Sequence, residues 1–323
     1  MPRTVPLLAV LALTAGCSLF VRPELDPAPP DGGTDPGHSL SIVAIDSSQI
    51  APGVDSPYWA KVRRGGPLIV AVSRNYPPFG APAQPGNPTG WVGFDVELAQ
   101  HLGQTLGVAV EFRGMRSGEI PQALNDGTID LALAGLTRTV FRAAQVNFSA
   151  PYLIVSQGAL VERRLVEGSR GTDEERRRNA FESYYDLAEI PGLRIGVTGG
   201  TRPERIARDS FPAAVIQTYP SVAGASQALI DGKVSALVHD APYIRAWTAI
   251  HRSQAGRFAA LLEPVTQEPI SIALRKGDLE FLRFLDAYVD EVRLDGTVDR
   301  LYRKHFVDNA WLEEAALEQG GNE

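Results

Sequence analysis

The 323-residue chain has one cysteine, Cys17, and five scattered histidines. A lone thiol cannot build a disulfide framework, and no His/Cys group has metal-site spacing, so neither metal nor cofactor is expected. Gly-x-Ser-x-Gly elbows and phosphate loops ending in Gly-Lys-Ser/Thr are missing, and no catalytic residue is expected. The formal charge is −7 and no basic run is longer than Arg176 to Arg178, which excludes the electrostatic footprint of a nucleic-acid binder. No apolar run approaches the roughly 20 residues that span a bilayer; the one near the start covers only Val5 to Leu13.

That short run, with Arg3 before it and Ala15-Gly16-Cys17 after it, reads as an export signal rather than a transmembrane helix. It resembles the lipobox of bacterial lipoproteins, with Thr14 in place of the usual leucine. The resemblance implies removal of residues 1–16 and acylation of Cys17, which would hold the protein on a membrane outside the cytoplasm; a plain signal peptide with an incidental cysteine is the alternative. Residues 18 to about 40 are rich in Pro, Gly and Asp and too poor in apolar groups to repay ordering, so they read as a tether. A short helix is expected near Ser56 to Arg64, and the working domain from about Pro67, with 44% hydrophobic residues to fill two cores.

Two segments echo one another: QALNDGTIDLALAG (Gln122 to Gly135) and QALIDGKVSALVHD (Gln227 to Asp240). Each has an amphipathic helix, capped by Ser117 or Ser221, a left-handed stop at Gly127 or Gly232, and then an apolar strand, Ile129 to Ala134 or Val234 to Val238. Upstream, LIVAV (Leu68 to Val72) and LRIGV (Leu193 to Val197) open each half. The helix beginning at Phe94 carries a stripe of Phe94, Leu98, Leu102 and Leu106. The pattern predicts an α/β protein of two lobes, each a mainly parallel sheet flanked by helices, although simple βαβ monotony would also produce an echo.

Ligands bind outside the carboxyl ends of such strands, so the residues after Ala134 and Val238 are placed at a cleft. One ending offers backbone N–H groups around Gly135 and Thr137, the Thr137 hydroxyl and the Arg142 guanidinium, suited to a carboxylate. The other ends on His239 and Asp240, and Asp240 suits an ammonium. Gly199-Gly200-Thr201 before a helix with Pro203 in its first turn offers a second carboxylate clamp. Tyr76 could cover an aliphatic portion. The plainer roles are a surface salt bridge for Arg142, a helix cap for Asp240, local packing for His239, a core position for Tyr76 and an ordinary turn for Thr201.

LIVAVSRNYPPFG, WVGFDVELAQHLG, IPQALNDGTIDLALAGLTRTVFRAAQVNFSAPY, GVTGGT, VSALVHDAP and EPISIALRKGD through RLDGTVDRLYRKHF stand in the order found in the extracytoplasmic solute-binding proteins of polar amino-acid ABC importers, family 3. The resemblance covers Leu68 to Phe306 and is strongest to the glutamine-binding branch. It implies a type II periplasmic binding protein fold whose two lobes close on a free L-amino acid, with Tyr76 covering the ligand and the Gly135 carbonyl receiving the ammonium. Thr137 and Arg142 would bind the carboxylate, assisted by the backbone N–H of Arg202, and Asp240 would take the ammonium. Partners would be ABC permease subunits, and the protein would be a monomer. Implied boundaries are 67–156 plus 270–310 for the first lobe, 157–269 for the second and 311–323 for a tail, with hinge crossings near Ile154 to Leu160 and Glu268 to Leu274.

Three departures stand out. Arg116 occupies the place of a second aromatic platform, Ser73 that of a frequent aspartate, and the charged segment around 168–188 is long, most simply a solvated helix. The first two argue against a cationic ligand and toward an acidic one such as glutamate or aspartate, unless Arg116 pairs with Glu119 or reaches to solvent, while the resemblance to the glutamine-binding branch implies a glutamine-like ligand. The enzymatic rival is a periplasmic cyclohexadienyl dehydratase, which carries an acid a few residues after the aspartate, where this chain has Tyr243. A binding protein serving a receptor kinase and the binding-like domain of a lytic transglycosylase are further alternatives.

Overall fold

The computed structural model describes residues 44–51, 56–166, 181, 183–264 and 266–316. Cys17, the signal, the tether up to residue 43 and most of the charged insert (167–180 and 182) lie outside the described residues. Among the described residues no helix is long and apolar enough to cross a membrane.

The first half runs α1 (Pro57–Arg63), β1 (Leu68–Ser73), β2 (Ala81–Pro82), β3 (Trp91–Val92), α2 (Phe94–Thr105), β4 (Val110–Met115), α3 (Ile120–Asn125), β5 (Leu131–Ala132), α4 (Val140–Ala143) and β6 (Asn147–Val155). The second holds β7 (Gln157–Glu162), α5 (Arg163–Val166), β8 (Arg194–Thr198), α6 (Arg202–Ser210), β9 (Val215–Tyr219), α7 (Val222–Ile230), β10 (Ala236–Asp240), α8 (Ala241–Ile250) and β11 (Phe258–Leu261). The chain then returns through β12 (Glu268–Leu274) to α9 (Leu279–Leu294), α10 (Thr297–Tyr302) and α11 (Trp311–Glu314).

Two five-stranded sheets result, ordered β4-β1-β5-β12-β6 and, read from the corresponding edge, β9-β8-β10-β7-β11. Both echo strands, β5 and β10, occupy the middle of their sheets. In the first sheet β12 runs antiparallel to both its neighbours, leaving the other strands codirectional; in the second, β7 plays that part. The fold is thus the expected two-lobed α/β arrangement. The chain crosses from sheet to sheet between Val155 and Gln157 and returns between Leu261 and Glu268.

Period-two alternation fills both faces of each sheet. Leu68, Val70, Leu131 and Leu133 face a core under α2 and α9, while Ala71, Ala132 and Ala134 face α3. In the second sheet Ile195, Val197, Ala236 and Val238 face α6, and Leu160 and Leu237 face α7 and α8. Gly127 and Gly232 end their helices with φ of +69° and +71°, as the Asp-Gly repeats predict.

Some local expectations are corrected. Ser221 caps α7, its hydroxyl accepting the Gly224 N–H at 3.1 Å, but Ser117 does not cap α3. There Glu119 is the N-cap residue, in helical geometry, with Pro121 in the first turn, and its carboxylate accepts the Arg116 N–H at 3.0 Å. The ladder of β5 is only two residues long, because the chain turns at Gly135 with φ +60°. Strand β10 ends two residues later than expected, since antiparallel pairing with β7 continues through His239 opposite Gly158 and Asp240 opposite Gln157.

The helix before Pro67 is packed into the body. Ser56 caps α1, accepting the Trp59 N–H at 3.1 Å, and the Tyr58 and Trp59 rings lie 4.8 and 5.1 Å from that of Phe281. Lys61 reaches Asp130 at 2.5 Å. At the other end, buried Trp311 packs with Ala81 and Val92 of the first lobe and Ala246 of the second. Trp59→Ala should therefore lower unfolding free energy by about 3–5 kcal/mol in denaturant titration; a loss under about 1 kcal/mol would put α1 outside the cooperative unit.

Candidate functional site

The two lobes meet where β1, β5, β8 and β10 end. After β1, Tyr76 heads a tight turn: its N–H donates to the Gly80 carbonyl at 2.9 Å, and its own carbonyl accepts the Phe79 N–H at 2.9 Å. Its ring lies 4.8 Å from Phe79 in its own lobe and 5.1 Å from His239 in the other. Its hydroxyl donates to the Asp240 carboxylate.

After β5, Gly135 fits beneath that ring. A Cβ at this position would sit 2.5 Å from Tyr76 Cε1, and the positive φ disfavours any side chain. The Gly135 N–H donates to Asp95 Oδ2 at 2.6 Å. The chain then passes along β12, where Thr137 bridges Ile270 and the Arg138 N–H donates to the Pro269 carbonyl at 2.8 Å. Thr139 caps α4 through the Arg142 N–H at 3.2 Å. This returns the half-buried Arg142 guanidinium toward the cleft, where it donates to the Thr137 carbonyl at 3.1 Å. Burial holds Arg142 below the usual guanidinium range; the charge of Asp240 opposes this, and Arg202 adds to it.

The other wall is built from β8, α6 and β10. Thr201 is the N-cap residue of α6, and its hydroxyl donates to the Thr198 carbonyl at 2.6 Å. Arg202 crosses to the first lobe, its Nε donating to Glu268 at the start of β12 at 3.1 Å. Arg205 stands 5.5 Å above the Phe141 ring of α4, a cation–π contact between the lobes.

Asp240 occupies the N-cap position of α8 but caps nothing with its side chain. Register explains why: Asp240 is paired with Gln157, so both side chains leave the same face, and the Gln157 amide donates to the carboxylate. Burial pushes Asp240 up to about 6, against the Tyr76 and Gln157 hydrogen bonds and the charges of Arg142 and Arg202. Burial pushes His239 down to about 3, leaving it neutral; its Nδ1 accepts the Asp240 N–H at 2.9 Å, so its proton is on Nε2.

Tyr76, Gly135, Thr137, Arg142, Arg202, His239 and Asp240 are therefore brought together. Three other expected positions have their own surroundings. The Ala134 side chain packs into the core with Ile120 and Leu124, leaving its backbone for any role in the cleft. The Thr201 hydroxyl is engaged within its own turn. Arg116 is exposed, just beyond β4. Tyr243, where the dehydratase pattern has an acid, is buried with its hydroxyl 3.0 Å from Ser226 Oγ.

Sequence reasoning missed Asp95, Gln157, Thr198 and the role of Glu268. Gln157 is fully buried with Oε1 unpartnered, and Thr198 Oγ1 is likewise buried without a partner; their placement depends on strand register. Asp95 left a readable trace, because it lies on the stripe of Leu98 and Leu102, where an acid interrupts an otherwise apolar face. No group of three or more His, Cys, Asp or Glu suited to a metal occurs among the described residues.

The chain is 26% identical over 267 residues to the L-cystine-binding protein TcyJ of Escherichia coli, covering 83% of this chain and 92% of that protein. It is 25% identical over 255 residues to a cyclohexadienyl dehydratase of Pseudomonas aeruginosa, covering 78% and 86%. Among solved structures, the binding component of an ABC transporter from Wolinella succinogenes complexed with lysine superposes with a TM-score of 0.67 at 28% identity, over 77% of this chain and 99% of that one. The sequence model of the bacterial extracellular solute-binding proteins, family 3, matches residues 68–308, and the chain belongs to that family.

Proposed function

We propose that this protein captures a free polar amino acid between its lobes outside the cytoplasm and delivers it to the membrane permease of an ABC importer. One observation carries the reading: a half-buried guanidinium of the first lobe, Arg142, and a buried carboxylate of the second, Asp240, share one cleft and interact electrostatically. Opposite charges held apart by two rigid lobes suit the carboxylate and ammonium of a zwitterion. Thr137 and the start of α6 would assist Arg142, the backbone of Ala134 and Gly135 would share the ammonium with Asp240, and Tyr76 would cover the aliphatic stem.

The side-chain preference follows from the remaining charges. Arg202 is engaged by Glu268, which leaves it less free to take a second carboxylate. Gln157 Oε1 and Thr198 Oγ1, both buried and unpartnered, suit a neutral side chain with hydrogen-bonding groups. Of the acidic and glutamine-like ligands considered, the glutamine-like class is favoured. The dehydratase among the relatives keeps a second reading open to test, although Tyr243 supplies no acid.

A thermal-shift screen of the twenty amino acids should find a ligand of about micromolar affinity, near −8 kcal/mol; turnover of prephenate with no amino-acid shift would establish the enzyme instead. Arg142→Ala should weaken that ligand about a hundredfold, near 3 kcal/mol, by calorimetry, and unchanged affinity would remove Arg142 from the site.

Affinity should also fall with acidity. Ammonium capture needs ionised Asp240, whose carboxyl in the free protein titrates at about 6, so below that pH a proton must leave first. Affinity at pH 5 should be about tenfold weaker than at pH 7.5; a flat profile would argue against Asp240 as the acceptor. Finally, Cys17→Ser should release the protein from isolated membranes to the soluble fraction, whereas retention on membranes would contradict a lipid anchor.

A further inference from the structure

Asp95 is not one of the opposed charges of the cleft, yet it joins the three elements that shape the first lobe's side of it. It lies in the first turn of α2 and is fully buried. Its Oδ2 accepts the Gly135 N–H at 2.6 Å and its Oδ1 accepts the Tyr152 hydroxyl at 2.7 Å. Gly135 begins the loop that leads to Thr137 and Arg142. Tyr152 is in β6, the strand that leaves for the second lobe.

A carboxylate costs free energy in this setting. Burial pushes it up to about 7, and only the two donors pull the other way. A leucine would continue the stripe of Leu98 and Leu102 and would serve packing better. What the acid provides is orientation. A peptide is planar and trans, so drawing the Gly135 N–H toward Asp95 turns the Ala134 carbonyl in the opposite direction, away from the core of α2. The loop has little freedom to reach the same geometry otherwise, because Gly135 is already in the left-handed region with the Tyr76 ring against it.

We propose that Asp95 is a positioning residue for ligand capture, fixing the Ala134-Gly135 peptide so that its carbonyl side faces the ammonium while tying that peptide to the crossing strand through Tyr152. The ammonium part of this statement rests on the amino-acid reading of the cleft, and the pinning of the peptide does not.

The test uses the full chain with Asp95→Ala, Asp95→Asn and Tyr152→Phe, reading the melting temperature, hydrogen exchange of the Gly135 amide without ligand, and calorimetric affinity for the amino acid found in the screen. Asp95→Ala should speed Gly135 exchange about a hundredfold and weaken binding at least about tenfold at temperatures where the variant is folded. Asparagine can accept the Gly135 N–H through its oxygen and donate to the Tyr152 oxygen through its amide, so Asp95→Asn should recover both values to within about threefold. Tyr152→Phe, which deletes the second bond alone, should lower the melting temperature and leave affinity within about threefold.

Rescue by Asn but not by Ala is the mark of positioning; a folded Asp95→Ala with wild-type affinity would overturn the proposal. Should that variant fail to fold, an unprotected Gly135 amide in the wild type, or an Asp95→Asn that binds as weakly as an Arg142→Ala chain, would overturn it equally. Wild-type protein that binds none of the twenty amino acids would refute the reading of the cleft, and the Gly135 exchange rates would still decide whether Asp95 holds the peptide.

Discussion

A carboxylate at the end of a central strand, shut away from water, is tolerable only where donors and cations compensate its lost hydration. Asp240 is in that position, and its partners come from every part of the molecule that shapes the cleft. Tyr76 reaches it from the first lobe, Gln157 from the crossing strand of the second, and Arg142 and Arg202 supply the charge. The compensation remains incomplete, as the raised carboxyl shows. On the proposed reading an acid held this way gains from an ammonium brought close to it, and that binding energy would draw the lobes together.

The corresponding strand orders of the two sheets explain how the partners arrive. Each sheet places its echo strand in the centre and its one reversed strand beside it, and the reversed strands β7 and β12 are those that follow the two crossings. Thus Gln157 begins β7 and Glu268 begins β12, so residues that enter a new lobe contact the site at once. The contacts between lobes range from the Tyr76 hydrogen bond to buried Asp240 to the partly exposed pairs Arg202 with Glu268 and Arg205 with Phe141, the last two individually modest.

Architecture was largely legible in the sequence because it rests on local signals. The Asp-Gly stops, the apolar strand runs and the repeat itself forecast β5 and β10, and Tyr76, Arg142 and Asp240 were found by following chain direction to the strand ends. What was not legible depends on register or on tertiary context. Gln157 sits opposite Asp240 only because β7 runs antiparallel to β10, which no spacing along the chain reveals. Ser117 was a plausible cap until Pro121 and the Glu119 turn set the helix start. Asp95 was open to detection, since an acid on an apolar stripe is a conflict that asks for a reason.

The central claim is that two opposite charges, one per lobe, recognise the two poles of one small molecule. Calorimetry with L-glutamine, its deaminated analogue glutaramic acid and its decarboxylated analogue 4-aminobutanamide tests this directly on the wild type and on Asp240→Asn. The account predicts that the wild type binds glutamine far more tightly than either analogue and that Asp240→Asn loses most of the preference for glutamine over glutaramic acid while still rejecting 4-aminobutanamide. An Asp240→Asn protein that keeps the full wild-type preference for glutamine over glutaramic acid would contradict it.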